Sequence, residues 1–158
     1  KKDYHHWESI EHGFKYNMTD VMAAMGLVQL ERLETNLQNR TAITQTYDIA
    51  FNELDIIVDN TTCTTKHAHH LYPILIRNGE RDQFIQYLNS QGIDVGVHFT
   101  NLGSHRAFKD IEAPYGLKNA EVFGSSVLSL PLYPDLEHTD VEYVIEKVLT
   151  GLKDIDLM

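Results

Sequence analysis

One cysteine in 158 residues, Cys63, leaves no partner for an internal disulfide, which fits the reducing cytoplasm. Set between threonines with no basic cluster beside it, that thiol reads as inert, because nothing there would stabilise a thiolate. Positive charge is scarce as well: 13 Lys and Arg stand against 23 Asp and Glu, for a net charge of −10. Such a chain has no basic patch to displace counterions from a nucleic acid or an anionic membrane, and its acidity reads as solubility. No apolar run reaches transmembrane length, and no signal peptide is recognisable. The G-x-S-x-G, G-x-x-x-x-G-K, C-x-x-C and H-E-x-x-H motifs are all missing, which removes the commonest hydrolase, nucleotide-phosphate, redox and zinc-protease signatures.

What is present is an ordinary globular composition, 42% hydrophobic and 23% charged, enough for one core. Residues 1–16 read as irregular. Asn17 or Thr19 can cap a helix running to about residue 33, with Asp20 at its positive end. A second helix is expected over about 39–54, where Ile43, Tyr47, Ala50, Phe51 and Leu54 form one apolar stripe. Residues 56–58 and 71–76 read as strands, with Asn78-Gly79 as a turn. A helix over about 80–91 ends at Gly92, placed for a left-handed cap, and residues 93–99 read as a further strand. Arg81-Asp82 reads as a solvated charge pair in that helix. A helical turn near 105–108, a helix over 118–126 and an extended run at 128–132 follow. The last helix opens on Thr139-Asp140-Val141-Glu142, a capping box, and buries Val141, Val144, Ile145, Val148, Leu149 and Leu152. This order predicts an α/β (α+β) domain with a small sheet covered on one face.

The densest information lies in residues 13–33. Between residues 21 and 30 only Gln29 is polar, so that helix is apolar on nearly every face and needs protein on several sides. Asn17, just ahead of it, is either a plain cap or a donor to an anion at the helix N-terminus. Nine histidines occur in the chain. His67 and His69 alternate along an extended segment as a metal pair would, but no third ligand follows at a recognisable spacing. No metal is therefore expected, and the cluster with His70 reads as the approach to a site. His98-Phe99 closes a candidate strand, where ligands collect in α/β folds; a partly buried structural histidine is the other reading. The segments Tyr72-Pro73 and 129–134 read as core packing without chemistry.

The run Gly13 to Leu33 resembles the G-x-x-Y-N-x-x-D/E…A-A-x-G-x-x-Q-L region of the nucleotide-sugar aminotransferases of the DegT/DnrJ/EryC1/StrS type. His67 to Tyr72, His98-Phe99 with Phe108, and Ser129-Leu130-Pro131-Leu132-Tyr133-Pro134 are similar to further family segments. In the loop after His98 the chain departs from the pattern. Asn101 stands for a proline, Gly103 for a second histidine, and His105 comes two positions late. The resemblance implies the C-terminal part of a fold-type-I pyridoxal-phosphate enzyme, with residues 1–36 an interdomain, dimer-facing segment and 37–158 a small α/β domain carrying a short, mainly antiparallel sheet. It implies a cytoplasmic homodimer that aminates a nucleotide-linked keto-sugar, with glutamate as donor. Asn17, with Tyr16, would serve the cofactor phosphate of the neighbouring subunit. His98, Phe99, His70 and His105 would face the substrate. Transamination on this cofactor needs a lysine and an acid for the pyridine nitrogen. None of the eight lysines lies in the family's lysine-bearing segment, so the catalytic lysine is expected upstream of residue 1. A stand-alone dimerising or binding module, or part of a lysine-less relative with dehydratase or regulatory function, are the alternatives.

Overall fold

The computed structural model describes residues 12–56, 65–108, 110 and 116–154. Ile57, Val58, Cys63, Lys1, Lys2 and Lys109, on which part of the sequence reading rests, lie outside them. The chain divides into two compact units, Lys1–Leu33 and Glu34–Met158.

The first helix, α1 (Asp20–Phe51), is a single element of 32 residues, not the two separate helices expected. Residues 34–38 contain neither glycine nor proline. Thr and Asn there cost the helix a few tenths of a kcal/mol each, whereas a break would orphan a set of carbonyls at its C-terminal side. Continuing is the cheaper outcome. Thr19 caps the start as expected: its Oγ1 accepts from the Met22 amide at 3.4 Å and its carbonyl from Ala23 at 2.9 Å.

In the second unit α1 presents the expected stripe. Ile43, Tyr47 and Phe51 are buried, with Ala50 and Leu54 packed against the same core. Strands β1 (Tyr72–Leu75) and β2 (Val127–Leu130) pair antiparallel, Tyr72 opposite Leu130 and Leu75 opposite Val127. Tyr47 meets Tyr72 at 4.8 Å between ring centroids and Phe51 at 5.9 Å. The Tyr47 hydroxyl donates to the Pro131 carbonyl at 3.0 Å, and that of Tyr72 to Asp48 at 2.9 Å. Aromatic area thus seats the helix on the sheet, while the hydroxyls find the partners that burial requires.

Helix α2 (Arg81–Ser90) buries Phe84 and Leu88. Its end is closed by Gly92 at φ +77°, with the Ile93 amide donating to Leu88 and that of Gly92 to Asn89, both at 3.0 Å; only a residue tolerant of positive φ completes this motif. Arg81 is not simply a solvated charge. Its side chain is 14% exposed, pairs with Asp82 at 2.8 Å, and donates to the Gly124 carbonyl of α3 (Lys118–Ser126) at 2.7 Å. Helix α4 (His138–Asp154) starts before the expected capping box. The Asp140 and Val141 amides both donate to the Glu137 carbonyl at 3.0 Å, which places Thr139 inside the first turn. Its stripe of Val141, Val144, Val148 and Leu152 is buried as expected. At Gly151 of α4 an added Cβ would fall 2.4 Å from Tyr87 and 2.8 Å from Phe84.

Candidate functional site

Residues 93–99 form no strand beyond one bridge. Gly96 and Ser129 exchange both backbone hydrogen bonds, at 3.3 and 2.7 Å. That bridge places the 94–98 segment beside β2 and creates a pocket of about 270 Å³ lined by His70, Asp94, Gly96, His98 and Ser129, with Pro131 and Leu132 among its apolar wall. His98 Nδ1 lies 3.0 Å from the Ser129 hydroxyl. His70 and His98, 28 positions apart in sequence, therefore share one concavity.

The other sequence candidates sit differently. Phe99 is 70% exposed and does not line that pocket, though its ring meets the His98 ring edge-on at 5.0 Å. His105 is on an exposed 3-10 loop, its Nε2 3.0 Å from the Thr100 hydroxyl. Asn101, the residue that stands for proline, caps this loop: its side chain accepts from Gly103 at 2.9 Å and its carbonyl from Ser104 at 3.0 Å. The substitution replaces a rigid φ with a side-chain hydrogen bond, and the turn survives. Tyr16 and Asn17 lie in the first unit, exposed on the irregular segment ahead of the Thr19 cap.

His67 and His69 form a second cluster, with rings 4.5 Å apart. The His69 amide donates to His67 Nδ1 at 3.1 Å, which keeps that nitrogen bare. Burial, helped by His67, lowers the His69 imidazole below its ordinary value; Asp48 opposes this and Arg40 adds to it. No group of three or more metal-ligating side chains exists among the described residues.

Sequence reasoning gave no chemistry to Ser129 and did not single out Gly96 or Asp94. No local signal could have found them as a set, because their meeting depends on a bridge between segments about 30 residues apart.

Residues 1–149 match the DegT/DnrJ/EryC1/StrS aminotransferase family. The chain belongs to that family. Among its relatives, the uncharacterized protein MJ1066 of Methanocaldococcus jannaschii is 36% identical over 153 residues, covering 90% of this chain and 39% of that protein. Among solved structures, Helicobacter pylori PseC, an aminotransferase of pseudoaminic acid biosynthesis, superposes with a TM-score of 0.82 at 25% identity, over 98% of this chain and 43% of its own. The putative sugar aminotransferase Spr1654 of Streptococcus pneumoniae, solved in apo, PMP and PLP forms, gives 0.82 at 32% identity, over 92% of this chain and 38% of its own. The aminotransferase-family chain thus spans about two fifths of the length of the relatives it matches. Its mixed architecture with a short antiparallel sheet is part of fold type I.

Pyridoxal phosphate asks three things of a protein: a lysine, an acid for the ring nitrogen and donors for the phosphate. Asn17 fits the last, being an exposed amide before a helix N-terminus. No lysine lines the His70–His98 pocket. Lys66 is bound to Glu34 and Lys147 to Glu146, while Lys15, Lys118 and Lys153 are exposed. Among the described residues, Asn17 suits the phosphate requirement, and none of the five described lysines lines the His70–His98 pocket.

Proposed function

We propose that this chain is the small domain and interface segment of a pyridoxal-phosphate aminotransferase that converts a nucleotide-linked keto-sugar to an amino-sugar, with glutamate as donor. The observation that carries this reading is the family match over nearly the whole chain, joined to a histidine-lined pocket that holds no lysine. When bound, the cofactor supplies the electron sink and carries the amino group.

This chain's residues bind and orient. The Asn17 amide donates to the cofactor phosphate of the neighbouring subunit, and Tyr16 packs beside it. His98 and His70 offer imidazole nitrogens to the oxygens of the sugar, with Phe99 and His105 at the outer edge. The exposed apolar residues of 21–33 bury themselves against a second copy, so the working unit is a homodimer. The lysine comes from sequence outside this chain.

The test is to incubate the polypeptide with pyridoxal phosphate, reduce with borohydride and map the labelled peptides. No single stoichiometric adduct is expected. One adduct on one of the eight lysines would make the chain self-contained and overturn the reading.

A further inference from the structure

We propose that Gly96 and Ser129 are positioning residues that clamp the His98 ring and present its Nε2–H as a hydrogen-bond donor to substrate oxygen. The proposal rests on the substrate-side role given to His98 above.

Two observations carry it. The first is steric. A Cβ built on Gly96 would lie 2.4 Å from His98 Cε1, 3.1 Å from Nε2 and 3.2 Å from Nδ1, so the ring occupies the space that any other residue's side chain would fill. Gly96 is not among the positive-φ glycines, so its backbone has no need of glycine and the ring alone explains its presence.

The second is the hydrogen bond. Ser129 is 4% exposed, and its amide and carbonyl are both spent on the bridge to Gly96. Among the described residues its hydroxyl has one partner, His98 Nδ1 at 3.0 Å. Were Nδ1 protonated, it would donate to the serine oxygen and leave the hydroxyl proton with no acceptor among the described residues. The satisfied arrangement has the hydroxyl donating to a bare Nδ1, which puts the imidazole proton on Nε2. The same bridge that brings Gly96 opposite Ser129 brings their two effects onto one ring. His98 then needs no ordering when substrate arrives, the saving that preorganisation supplies.

The experiment is long-range 15N–1H NMR of the histidine rings in this chain, with the Gly96 Hα shifts read alongside. The wild type should show His98 Nδ1 as a hydrogen-bonded bare nitrogen, Nε2 as protonated, and Gly96 Hα displaced by the ring current. Ser129→Ala should return Gly96 Hα and Nδ1 toward the values of a free ring, with amide shifts in α2 and α4 unchanged; Ser129→Thr should restore both. A protonated Nδ1 in the wild type overturns the proposal whether or not the variants fold. So does a Ser129→Ala spectrum identical to wild type at Nδ1 and Gly96.

Kinetics of the complete aminotransferase separate this from the reading beneath it. Ser129→Ala should raise the keto-sugar KM about fivefold, as loss of one oriented hydrogen bond would, with kcat changed less. If His98→Ala leaves the keto-sugar kinetics unchanged, His98 does not touch substrate, and the clamp's role for substrate falls with it while the ring geometry in the spectra stands. If His98→Ala impairs turnover and the spectra show no clamp, the functional reading stands and the clamp falls.

Discussion

Tyr72 shows how one buried hydroxyl sets a pH limit on the fold. Burial first, then the hydrogen bond and charge of Asp48, push it above the ordinary tyrosine value, with Tyr47 adding to the shift. The unfolded chain releases this proton near pH 10, while the folded chain holds it. Below that pH the contribution to stability is complete. Above it the unfolded state binds fewer protons than the folded one, so stability falls as pH rises. Tyr72→Phe should make the decline between about pH 9.5 and 11.5 shallower, at a cost of about 1 kcal/mol at neutral pH for the lost bond to Asp48. Urea unfolding across that range checks it, and an unchanged slope would assign the alkaline limit elsewhere. Tyr47, raised by its own burial, remains to titrate in the variant, so the decline is not abolished.

At the scale of elements, Gly26 sits inside α1 with nothing within 4 Å of where its Cβ would be. Within this chain Gly26→Ala should therefore stabilise the helix by about 1 kcal/mol, the intrinsic gap between the two residues. Amide exchange in residues 22–30 should slow about fivefold; faster exchange would show that the glycine serves the helix locally. The elements most legible in the sequence were those with local signals. The span of α3, the Gly92 stop of α2 and the buried stripe of α4 all follow from caps, turns and 3.6-residue spacing. The break expected between residues 33 and 39 rests on a change in apolar pattern, and a change of environment is not a helix end. Residues 93–99 had strand composition, but only Gly96 finds a partner, because pairing is decided by what lies alongside. The His70–His98 pocket was half legible for the same reason. Its histidines stand out in the chain, whereas Ser129 looked like core and Gly96 like nothing at all.

For the molecule as a whole, the dominant fact is uncovered apolar surface in the first unit. Val21 is 71% exposed, Met25 65% and Leu30 65%, with Phe14, Met18, Met22 and Leu27 exposed as well. Apolar groups repeated at this density mark a surface that association covers. The chain should sediment as a self-associated species, and Met25→Glu with Leu30→Glu should shift it toward monomer. Because both side chains lie in the first unit, the urea midpoint of the second should not move. A wild-type chain that sediments as a single monomer would remove the case for the dimer-facing segment.

The contact at Gly151 constrains the order in which this sequence can change. Gly151→Ala alone drives a methyl into Tyr87 and Phe84 and should cost about 1–3 kcal/mol, the range for overpacking. Tyr87→Leu alone opens space and costs less than removing a core ring outright, since Tyr87 is only partly buried. Made after it, the alanine is relieved of the Tyr87 contact and meets only the Phe84 ring, so the double variant should be more stable than the sum of the singles predicts, a coupling that a thermodynamic cycle measures. The succession that shrinks position 87 first avoids the overpacked intermediate through which the reverse succession passes. Position 151 changes at lower cost in lineages where position 87 has already shrunk, because only the Phe84 ring, 2.8 Å from the added Cβ, is then left to shift.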